Sequence, residues 1–558
     1  MTEQNRKGAW SRRAFLLGGA GAATVVAAHA TGGHRPPAAT PVTALDDAQL
    51  AAAGVPDVHL AATDGWVSMP HRASQPTLAP FWPDPMAPGY DTATGQNLYV
   101  FGFRNVTNLT DAQVTAQRGA AQISAPQLSF EEGKDYRVKL TNLGLKVRPD
   151  LVDGHTIHWH GFVNAIPLFD GVPELSISVP IGRSFTYFYR PHDAGTYMYH
   201  CHFEDVEHVQ MGMTGLLFVT PKQNGTAKTI TLPGETTPRT FTRFAYNDGD
   251  GSTGYDREFG LFQTEIFAEG HYRDAHIQTT DWTDFKASFW CLNGRSYPDT
   301  VAPAAPLDPG SATAVSLQVS AATASTTTRV VTLTPVGGTA GIVAGTTKVT
   351  VTGFATTGGQ AAPAYNVTNA TVTAVTATTI SYPAGTGTIR ASVTGTGLTN
   401  ARIAFTLPAD PARTRGFDPL LAPDDALKWQ PLSALVTCNA GERVLLRMAN
   451  LGYQNHALTV DNIPLTVVAK DALLLRNAAG DTHYVTTSSV EVGPGESRDV
   501  LFTAPEHVGP GAYDTYLLYD RNFAYADNAG DPGSPGGMTT QIRVYPAATL
   551  PQQTVPNT

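Results

Sequence analysis

Two short stretches of this chain hold an unusual density of side chains that bind metals. "HTIHWHGF" begins at His155, and "YMYHCHFEDVEHVQMGM" runs from Tyr197 to Met213. Together they combine several imidazoles with a thiol and thioethers, and a protein core has no reason to concentrate so many partly charged rings. Two histidines, one cysteine and a weakly bound methionine are the ligands of a blue-copper electron-transfer site. The pattern therefore predicts a copper centre.

Alternation along a strand divides these side chains between two sites. Residues two apart point to the same face, so Cys201 must point away from its neighbours His200 and His202. We expect one site on the cysteine side, formed by His155, Cys201, His208 and Met213. Met211 is the alternative to Met213 in this site. We expect a second site on the other side, where four imidazoles suit copper or zinc that touches substrate: His158, His160, His200 and His202. A zinc site usually closes with four ligands, which leaves the larger pattern unexplained.

The composition favours strands as the elements that carry these residues. The chain has 558 residues, 53 glycines and 40 prolines, and only 15% of its residues are charged. Many turns and few charges are typical of short strands, so we predict an all-β protein of several domains. The formal net charge of -10 offers no basic surface for nucleic acid, which we exclude as a partner. No segment reaches the about 20 apolar residues of a membrane span.

The N-terminus resembles an export leader. Arg6 and Lys7 precede "SRRAFLLGGAGAATVVAAHA", which contains a twin-arginine pair, a short apolar run and an Ala-x-Ala site. This three-part pattern predicts a twin-arginine signal peptide at residues 1–30 and a mature protein that is periplasmic or secreted. Residues 31–95 are rich in Pro, Ala and Asp without clear periodicity, and we expect an extended N-terminal arm there.

Three β units follow in the sequence. Short alternating segments separated by turns predict a copper-binding sandwich at residues 96–222. A second unit with a similar pattern covers 236–307 and 408–547. Residues 308–407 interrupt it with Thr-, Ala- and Gly-rich segments, and from Ser311 to Asn400 there is no Asp, Glu, His, Cys or Trp. We predict an inserted β-sandwich-like domain there that carries no chemistry.

The first and second units look like repeats of each other. "TNLG" at 141 precedes "HTIHWHGF", and "ANLG" at 449 precedes "HALTVDNI", which matches His155 with His456. Matching "GTYMYHCH" with "GAYDTYLL" places Leu517 at the position of Cys201, and "GMT" recurs at 212 and 537. The second copy therefore lacks the metal-binding residues, and we place the chemistry in the first.

The three cysteines are an odd number. If Cys201 binds metal, Cys291 and Cys438 remain as a pair that an oxidising compartment could join. Both lie in strand-like runs, and their Cα separation decides between a disulfide and two free thiols.

The metal-binding stretches resemble the copper motifs of the multicopper oxidases. The similarity lies in "HTIHWHGF", "DGVPELSISVPI", "GTYMYHCH" and "HVQMGM", and it extends over both outer units. It implies two cupredoxin-like Greek-key β-sandwich domains, with Cys201 as the electron bridge between two copper sites. The resemblance assigns the type 1 copper to His155, Cys201, His208 and Met213. It assigns the type 2 and type 3 copper to His158, His160, His200 and His202.

The resemblance also implies a function. It predicts an exported, laccase-like copper oxidoreductase that takes electrons from a small reducing substrate or a donor protein and reduces oxygen. Asp170 resembles a proton-supplying carboxylate of the family and is equally suited to a turn. Glu204, Asp205 and Glu207 lie beside His208, either as a solvated acidic loop or as a surface that attracts a cationic donor.

One departure from the family concerns the oxygen-reducing cluster. The family's cluster needs four His-x-His pairs, and this chain shows two. We therefore expect either a homo-oligomer whose first domains face each other across a twofold axis, or a cluster with fewer coppers.

Two other functions fit part of the pattern. The first domain is also similar to that of copper nitrite reductases, in which His160 and His200 would share a type 2 copper with a histidine from a neighbouring chain. His158 stands where that family has its active-site Asp, and His202 follows the cysteine; both positions argue against nitrite reduction. A blue-copper electron carrier would leave both His-x-His pairs without a purpose.

Overall fold

A computed structural model gives the fold of most of the chain. It describes residues 56–70, 78–90, 95–107, 109–162, 166–304, 314–335, 347–355, 361–376, 378–394, 401–406, 427–528 and 534–553, and a few isolated positions between and after these ranges. The predicted signal peptide at 1–30 lies outside the described residues. Among those residues, no helix has the length and apolar composition needed to cross a membrane.

The first domain is built from two four-stranded sheets. Its strands are β1 (Val58–Val67), β2 (Leu98–Asn105), β3 (Leu128–Glu131), β4 (Tyr136–Asn142), β5 (His158–His160), β6 (Ser184–Tyr189), β7 (Gly195–His200) and β8 (Thr214–Thr220). The strand orders are β2-β1-β4-β6 and β3-β8-β7-β5. Large aromatic side chains fill the core, including Tyr99, Phe101, Phe103, Trp159 and Tyr199. Two short helices lie between strands, α1 (Asp111–Thr115) and α2 (Asp205–Met211).

Strand β1 corrects the expectation of an extended arm for the described part of residues 31–95; residues 31–55 lie outside the described residues. It pairs with β2 on one side and with β4 on the other, and all but its first residue are buried. The buried carboxylate of Asp64 accepts hydrogen bonds from the Tyr99 hydroxyl and from the backbone N–H groups of Lys146 and Val147, each at 2.7 Å. A strand buried on both faces shows no alternation of apolar and polar residues, which is why its sequence gave no strand pattern.

The second domain has the same two-sheet architecture. Before it, β9 (Lys228–Ile230) and β10 (Arg239–Phe241) form a separate hairpin. Its strands are β11 (Arg257–Ile266), β12 (Phe289–Leu292), β21 (Val436–Asn439), β22 (Arg443–Asn450), β23 (His456–Val460), β24 (Leu465–Lys470), β25 (Leu473–Leu474), β26 (Val485–Thr487), β27 (Ser489–Val492), β28 (Ser497–Thr503), β29 (Asp514–Asp520) and β30 (Thr539–Tyr545). One sheet has the order β12-β11-β22-β28-β24-β25, with β26 on β24, and the other β21-β30-β29-β23-β27. Helix α3 (Ala268–Ala275) follows β11.

The insertion forms a sheet of its own. Its strands are β13 (Ala314–Ser325), β14 (Val330–Pro335), β15 (Lys348–Thr352), β16 (Val367–Thr371), β17 (Ala374–Val375), β18 (Ile380–Pro383), β19 (Ser392–Val393) and β20 (Arg402–Thr406). They pair only with one another among the described strands and enclose a separate apolar core around Tyr365 and Tyr382. The all-β prediction is confirmed.

The second domain supports the strand that leads into the metal-binding motif. On β7, the Thr196 hydroxyl donates to the Asp499 carboxylate at 2.5 Å, and its backbone carbonyl accepts from the Ser497 hydroxyl at 2.9 Å. The guanidinium of Arg447, fully buried, lies between the carboxylates of Glu258 and Asp499. These buried contacts fix β7, and with it His200 at its end.

The two remaining cysteines are free thiols, so a disulfide between them is excluded. Cys291 on β12 packs in a cluster with Phe289 and Trp82, whereas Cys438 on β21 packs in the core of the second domain. Burial raises the pKa of each thiol to about 12. The two thiols lie in different apolar clusters. Their separation depends on the packing of distant segments, so sequence alone could not decide their pairing.

Candidate copper site

The cysteine-side site is assembled from three parts of the first domain. His155 precedes β5 and pairs its backbone with Val179, Cys201 follows β7, and His208 lies on α2. The Cys201 Sγ lies 3.2 Å from Nδ1 of His208 and 3.7 Å from Nδ1 of His155. All three side chains are buried, and their ligand atoms lie within 4.8 Å of one another. Two ligands about 2.1 Å from one ion lie roughly 3 to 4 Å apart, so this donor set fits copper.

Burial sets the protonation states of these three side chains. It keeps the two imidazoles neutral, as a metal requires, and it keeps the thiol protonated, which a metal would have to reverse. It lowers the pKa of His155 to about 3 and the pKa of His208 well below its ordinary value. Both imidazoles are therefore neutral and carry a lone pair for a cation. Burial raises the pKa of the Cys201 thiol to about 12, so the thiol holds its proton until a cation displaces it. The Thr156 N–H donates to Sγ at 3.5 Å, a contact that would support a thiolate.

The chain after α2 closes this site. The Met213 N–H donates to the His208 carbonyl at 2.9 Å, and the Met213 carbonyl accepts from the Cys201 N–H at 3.1 Å. Gly212, with φ +118°, makes the turn, and an added Cβ there would lie 2.5 Å from Ile123. Met211 and Met213 are both fully buried in the first core. The backbone thus ties Met213 to two of the ligands, and its thioether remains the predicted weak ligand.

The four remaining histidines lie together at the other side of Cys201. On paired strands His158 is directly opposite His200, and their ring centroids are 5.2 Å apart. The His202 ring lies 5.0 Å from that of His158, and the His160 ring lies 5.8 Å from that of His200. The structure therefore brings the four predicted rings into one cluster.

Backbone carbonyls orient two of these rings. His158 Nδ1 lies 2.7 Å from the Asp170 carbonyl, and His200 Nδ1 lies 2.9 Å from the Cys201 carbonyl. A carbonyl only accepts hydrogen bonds, so Nδ1 carries the proton and Nε2 keeps the lone pair in both rings. A ligating histidine is commonly fixed in this way. Burial lowers the pKa of His158 and lowers that of His200 to about 3, so the rings are neutral.

His160 borders the second domain. Among the described residues its Nδ1 is buried without a hydrogen-bond partner, and burial lowers the pKa of the ring. An added Cβ at Gly495, between β27 and β28, would lie 3.3 Å from its Nε2. The second domain of the same chain therefore places a glycine against this histidine.

Asp170 lies against His158 as well as in a turn. It ends the 3-10 turn Pro167–Phe169, and its Oδ2 lies 3.7 Å from Nδ1 of His158. Gly171 follows with φ +81°, and an added Cβ there would lie 2.1 Å from the Ile157 carbonyl. Only glycine fits this close approach, which holds the Asp170 carbonyl against the histidine.

An acidic rim covers the outer edge of His208. Asp153 Oδ2 lies 4.0 Å from His208 Nε2, and Glu204 is the third member of this group. Burial first, and the charge of Glu204 second, raise the pKa of Asp153 to about 6. Burial, followed by the nearby charges of Asp274 and Glu204, raises the pKa of Glu207 to about 7. His208 itself has no exposed surface, so a donor would contact this rim rather than the ring.

Sequence reasoning missed Asn142 as a support of the site. Its fully buried amide donates to the carbonyls of Asp153 and Val179, both at 2.9 Å, and accepts from the Gly144 N–H at 2.8 Å. These bonds hold the segment that leads into His155. The signal was present, because the same asparagine recurs in "TNLG" and "ANLG". Asn450 makes the corresponding bonds to Gln454, Val492 and Gly452.

The second domain contains a corresponding site with different side chains. The Asp520 N–H donates to the Met538 carbonyl at 3.0 Å, and the Met538 N–H donates to the Tyr525 carbonyl at 2.8 Å. The same pair of bonds joins Cys201, Met213 and His208, so Asp520 stands at the position of Cys201 and Tyr525 at that of His208. The match of His155 with His456 holds, since the rings of His456 and Tyr525 are 5.3 Å apart.

This correspondence corrects the matching of Cys201 with Leu517. Thr459 pairs with Tyr519, as His158 pairs with His200, so the strand is shifted by three residues from the letter-by-letter match. The glycine that guided that match, Gly511, lies in the turn before β29 rather than on the strand. The conclusion that the second copy lacks a copper-binding cysteine is unchanged.

Comparison with known proteins agrees with the geometry of the first domain. The sequence model of a family described as "Multicopper oxidase" matches residues 104–224. Over this segment the chain is similar to the multicopper oxidases. The multicopper oxidase MCE of Talaromyces pinophilus is 37% identical over 106 residues, which are 18% of this chain and 16% of that protein. Laccase-1 of Emericella nidulans is 36% identical over 100 residues, 17% of this chain and 15% of that protein. The match thus spans only a small part of these relatives.

Solved structures resemble a larger part of the chain more weakly. The blue copper oxidase from Nitrosomonas europaea has a TM-score of 0.44 and 16% identity, over 87% of this chain and 85% of that one. A copper nitrite reductase from Nitrosomonas europaea has a TM-score of 0.41 and 12% identity, over 87% of this chain and 92% of that one.

Proposed function

We propose that this protein is an exported copper oxidoreductase of the laccase type, which oxidises a reducing substrate and passes the electrons to oxygen. The observation that carries the proposal is the buried convergence of Cys201 Sγ on the Nδ1 atoms of His155 and His208. Bound copper would supply one-electron redox chemistry at this site and oxygen-reducing chemistry at the four histidines. The predicted leader supports export.

Cys201 links the two sites through its own main chain. Its side chain belongs to the first site, while its carbonyl accepts the Nδ1 proton of His200 at 2.9 Å. The Thr156 hydroxyl accepts from the N–H of His202 at 3.0 Å, and the Thr156 N–H donates to Cys201 Sγ. The residues on both sides of the cysteine are thus fixed relative to its sulfur, which favours short, constant electron-transfer distances.

Electron entry is proposed at the acidic rim over His208. Asp153 and Glu204 lie beside the buried imidazole, and Glu207 is on the same helix. Carboxylates there attract a cationic donor and accept hydrogen bonds from a protic one. Proton delivery to the histidine cluster is proposed for Asp170, whose side chain is 29% exposed and lies 3.7 Å from His158.

The missing cluster histidines are proposed to come from a second chain. The segment that follows His158 exposes five large apolar side chains, and a concentration of exposed apolar residues is typical of a protein–protein contact. Their exposed fractions run from 41% to 67%: Ile166, Leu168, Leu175, Ile177 and Ile181. Facing first domains would bury these side chains and bring the two histidine clusters together.

Oxygen uptake by the copper-loaded protein tests the proposed reaction. We expect consumption of one oxygen molecule for every four electrons taken from a phenolic, aromatic amine or metal-ion donor, and none in the Cys201→Ser variant. Nitrite with a reduced donor is the parallel assay. Reduction of nitrite without oxygen uptake would assign the chain to the nitrite-reducing alternative, and spectra of blue copper without either activity would make it an electron carrier.

A further inference from the structure

Helix α2, which carries His208, has little stability of its own. It is seven residues long, and its N-cap residue Glu204 has φ 46° and makes no side-chain capping bond. An isolated helix of this length is unstable in water, so packing and hydrogen bonds to the rest of the protein must fix its position. The position of His208 relative to Cys201 therefore depends on what α2 rests against.

The second domain provides hydrogen bonds to both ends of α2. The Gln210 side-chain amide donates to the Glu265 backbone carbonyl at 2.7 Å, and the Tyr453 hydroxyl donates to the Val206 carbonyl at 2.5 Å. Tyr453 is in turn held by Glu265, whose carboxylate accepts the Tyr453 N–H at 2.7 Å. Both contacts thus converge on one residue of β11.

Glu265 is fixed by the altered metal site of the second domain. Its carboxylate has no exposed surface and lies 2.5 Å from Nε2 of His456, whose Nδ1 lies 2.8 Å from the Asp520 carboxylate. Both ring nitrogens face carboxylate oxygens, so both carry protons and the ring is an imidazolium. An added Cβ at Gly452 would lie 2.2 Å from the Glu265 carboxylate, so glycine is required there.

We propose that the Glu265–His456–Asp520 triad is a positioning device for the copper site of the first domain, holding α2 so that His208 stays within reach of Cys201. The His456 imidazolium lies at the position in the second domain that corresponds to the copper site. It hydrogen-bonds the Glu265 carboxylate, which supports α2. This inference rests on the proposed function, because it concerns the geometry of the proposed type 1 site.

The test compares copper spectra of full-length variants. His456→Gln removes the double hydrogen bond, Glu265→Ala removes the carboxylate, and Glu265→Gln keeps an acceptor for the Tyr453 N–H. Tyr453→Phe removes one hydroxyl from a partly exposed side chain and leaves the triad intact, so it should fold even if the others do not. Ile542→Ala is the control, because it opens a cavity in the second-domain core from β30, a strand that contributes no residue to the triad or to α2.

The expected result is a change in the blue band and in the copper hyperfine splitting. We expect it in all four triad and helix variants, with Glu265→Gln closer to wild type than Glu265→Ala, together with about tenfold weaker copper retention. Ile542→Ala should keep the wild-type spectrum. A blue wild type whose variants all match Ile542→Ala would overturn the positioning role. A wild type without a blue band would instead overturn the proposed function.

Discussion

Replacing Asn142 by alanine tests whether this residue supports the predicted copper site in addition to stabilising the first domain. The buried amide makes three hydrogen bonds, to the carbonyls of Asp153 and Val179 and from the Gly144 N–H. Asp153 is two residues from His155, so the loss of these bonds frees the segment that places this ligand. We expect a less stable first domain and a copper site whose geometry varies from molecule to molecule.

The size of the effect follows from these three bonds. Each contributes about 1 kcal/mol net, and the Val179 carbonyl keeps a second bond from the His155 N–H at 3.1 Å. The expected loss is about 3 kcal/mol of unfolding free energy. For a domain of this size that corresponds to a melting temperature lower by about 6 to 12 °C. Copper retention should weaken by about tenfold, as for other residues that hold a metal ligand in place.

Asn97→Ala is the matched control in the same domain. Asn97 is also fully buried and makes three hydrogen bonds, with the N–H and carbonyl of Met69 and with the indole N–H of Trp82. Both variants should lose similar stability in calorimetry, but only Asn142→Ala should broaden the blue band and the paramagnetic spectrum of copper. Equal spectra for the two variants would refute the argument that Asn142 acts on the metal site.

Three further predictions concern the second domain and the histidine cluster. Burial lowers the pKa of His456, but hydrogen bonds with Asp520 and Glu265 outweigh burial and raise the pKa above the ordinary value of about 6.5. The charged ring therefore stabilises the fold below that ordinary pKa, and the stabilisation is lost as pH rises through the folded-state pKa. The stability advantage of wild type over His456→Gln, measured by denaturant unfolding, should shrink in alkaline solution, and it would stay constant if the ring were neutral. Asp520→Cys combined with Tyr525→His should add a second blue centre per chain, whereas Asp520→Ser with Tyr525→His should not; equal absorbance in both would contradict the structural correspondence. Asp170→Asn should slow oxygen reduction by about 100-fold with an unchanged blue band, and an unchanged rate would limit Asp170 to its turn.

The metal-binding residues were predictable because their spacing is local. "HTIHWHGF" and "HCHFEDVEH" each place their histidines within a few residues, so strand alternation and motif spacing were enough to divide them into two groups. Whether each histidine binds metal stays a prediction. The structure adds that Cys201 Sγ approaches His208 of its own motif and also His155 of the other motif, 46 residues away in sequence.

The parts that could not be predicted depend on contacts between distant segments. Strand β1 is buried on both faces and hides its periodicity, so residues 31–95 looked like an arm. The role of Glu265 could not be inferred, because it reaches His456 from 191 residues away. The position of Asp520 was missed because a glycine in the preceding turn, rather than the strand pairing, guided the comparison of the repeats.

Copper analysis with optical and paramagnetic spectra, made on the copper-loaded full-length protein and on Cys201→Ser, tests the central claim most directly. We predict an intense blue band in the wild-type protein that is absent from the variant, while copper at the four histidines is retained in both. A wild type that binds no blue copper, or a Cys201→Ser protein that stays blue, would contradict the assignment of this sulfur as the copper ligand.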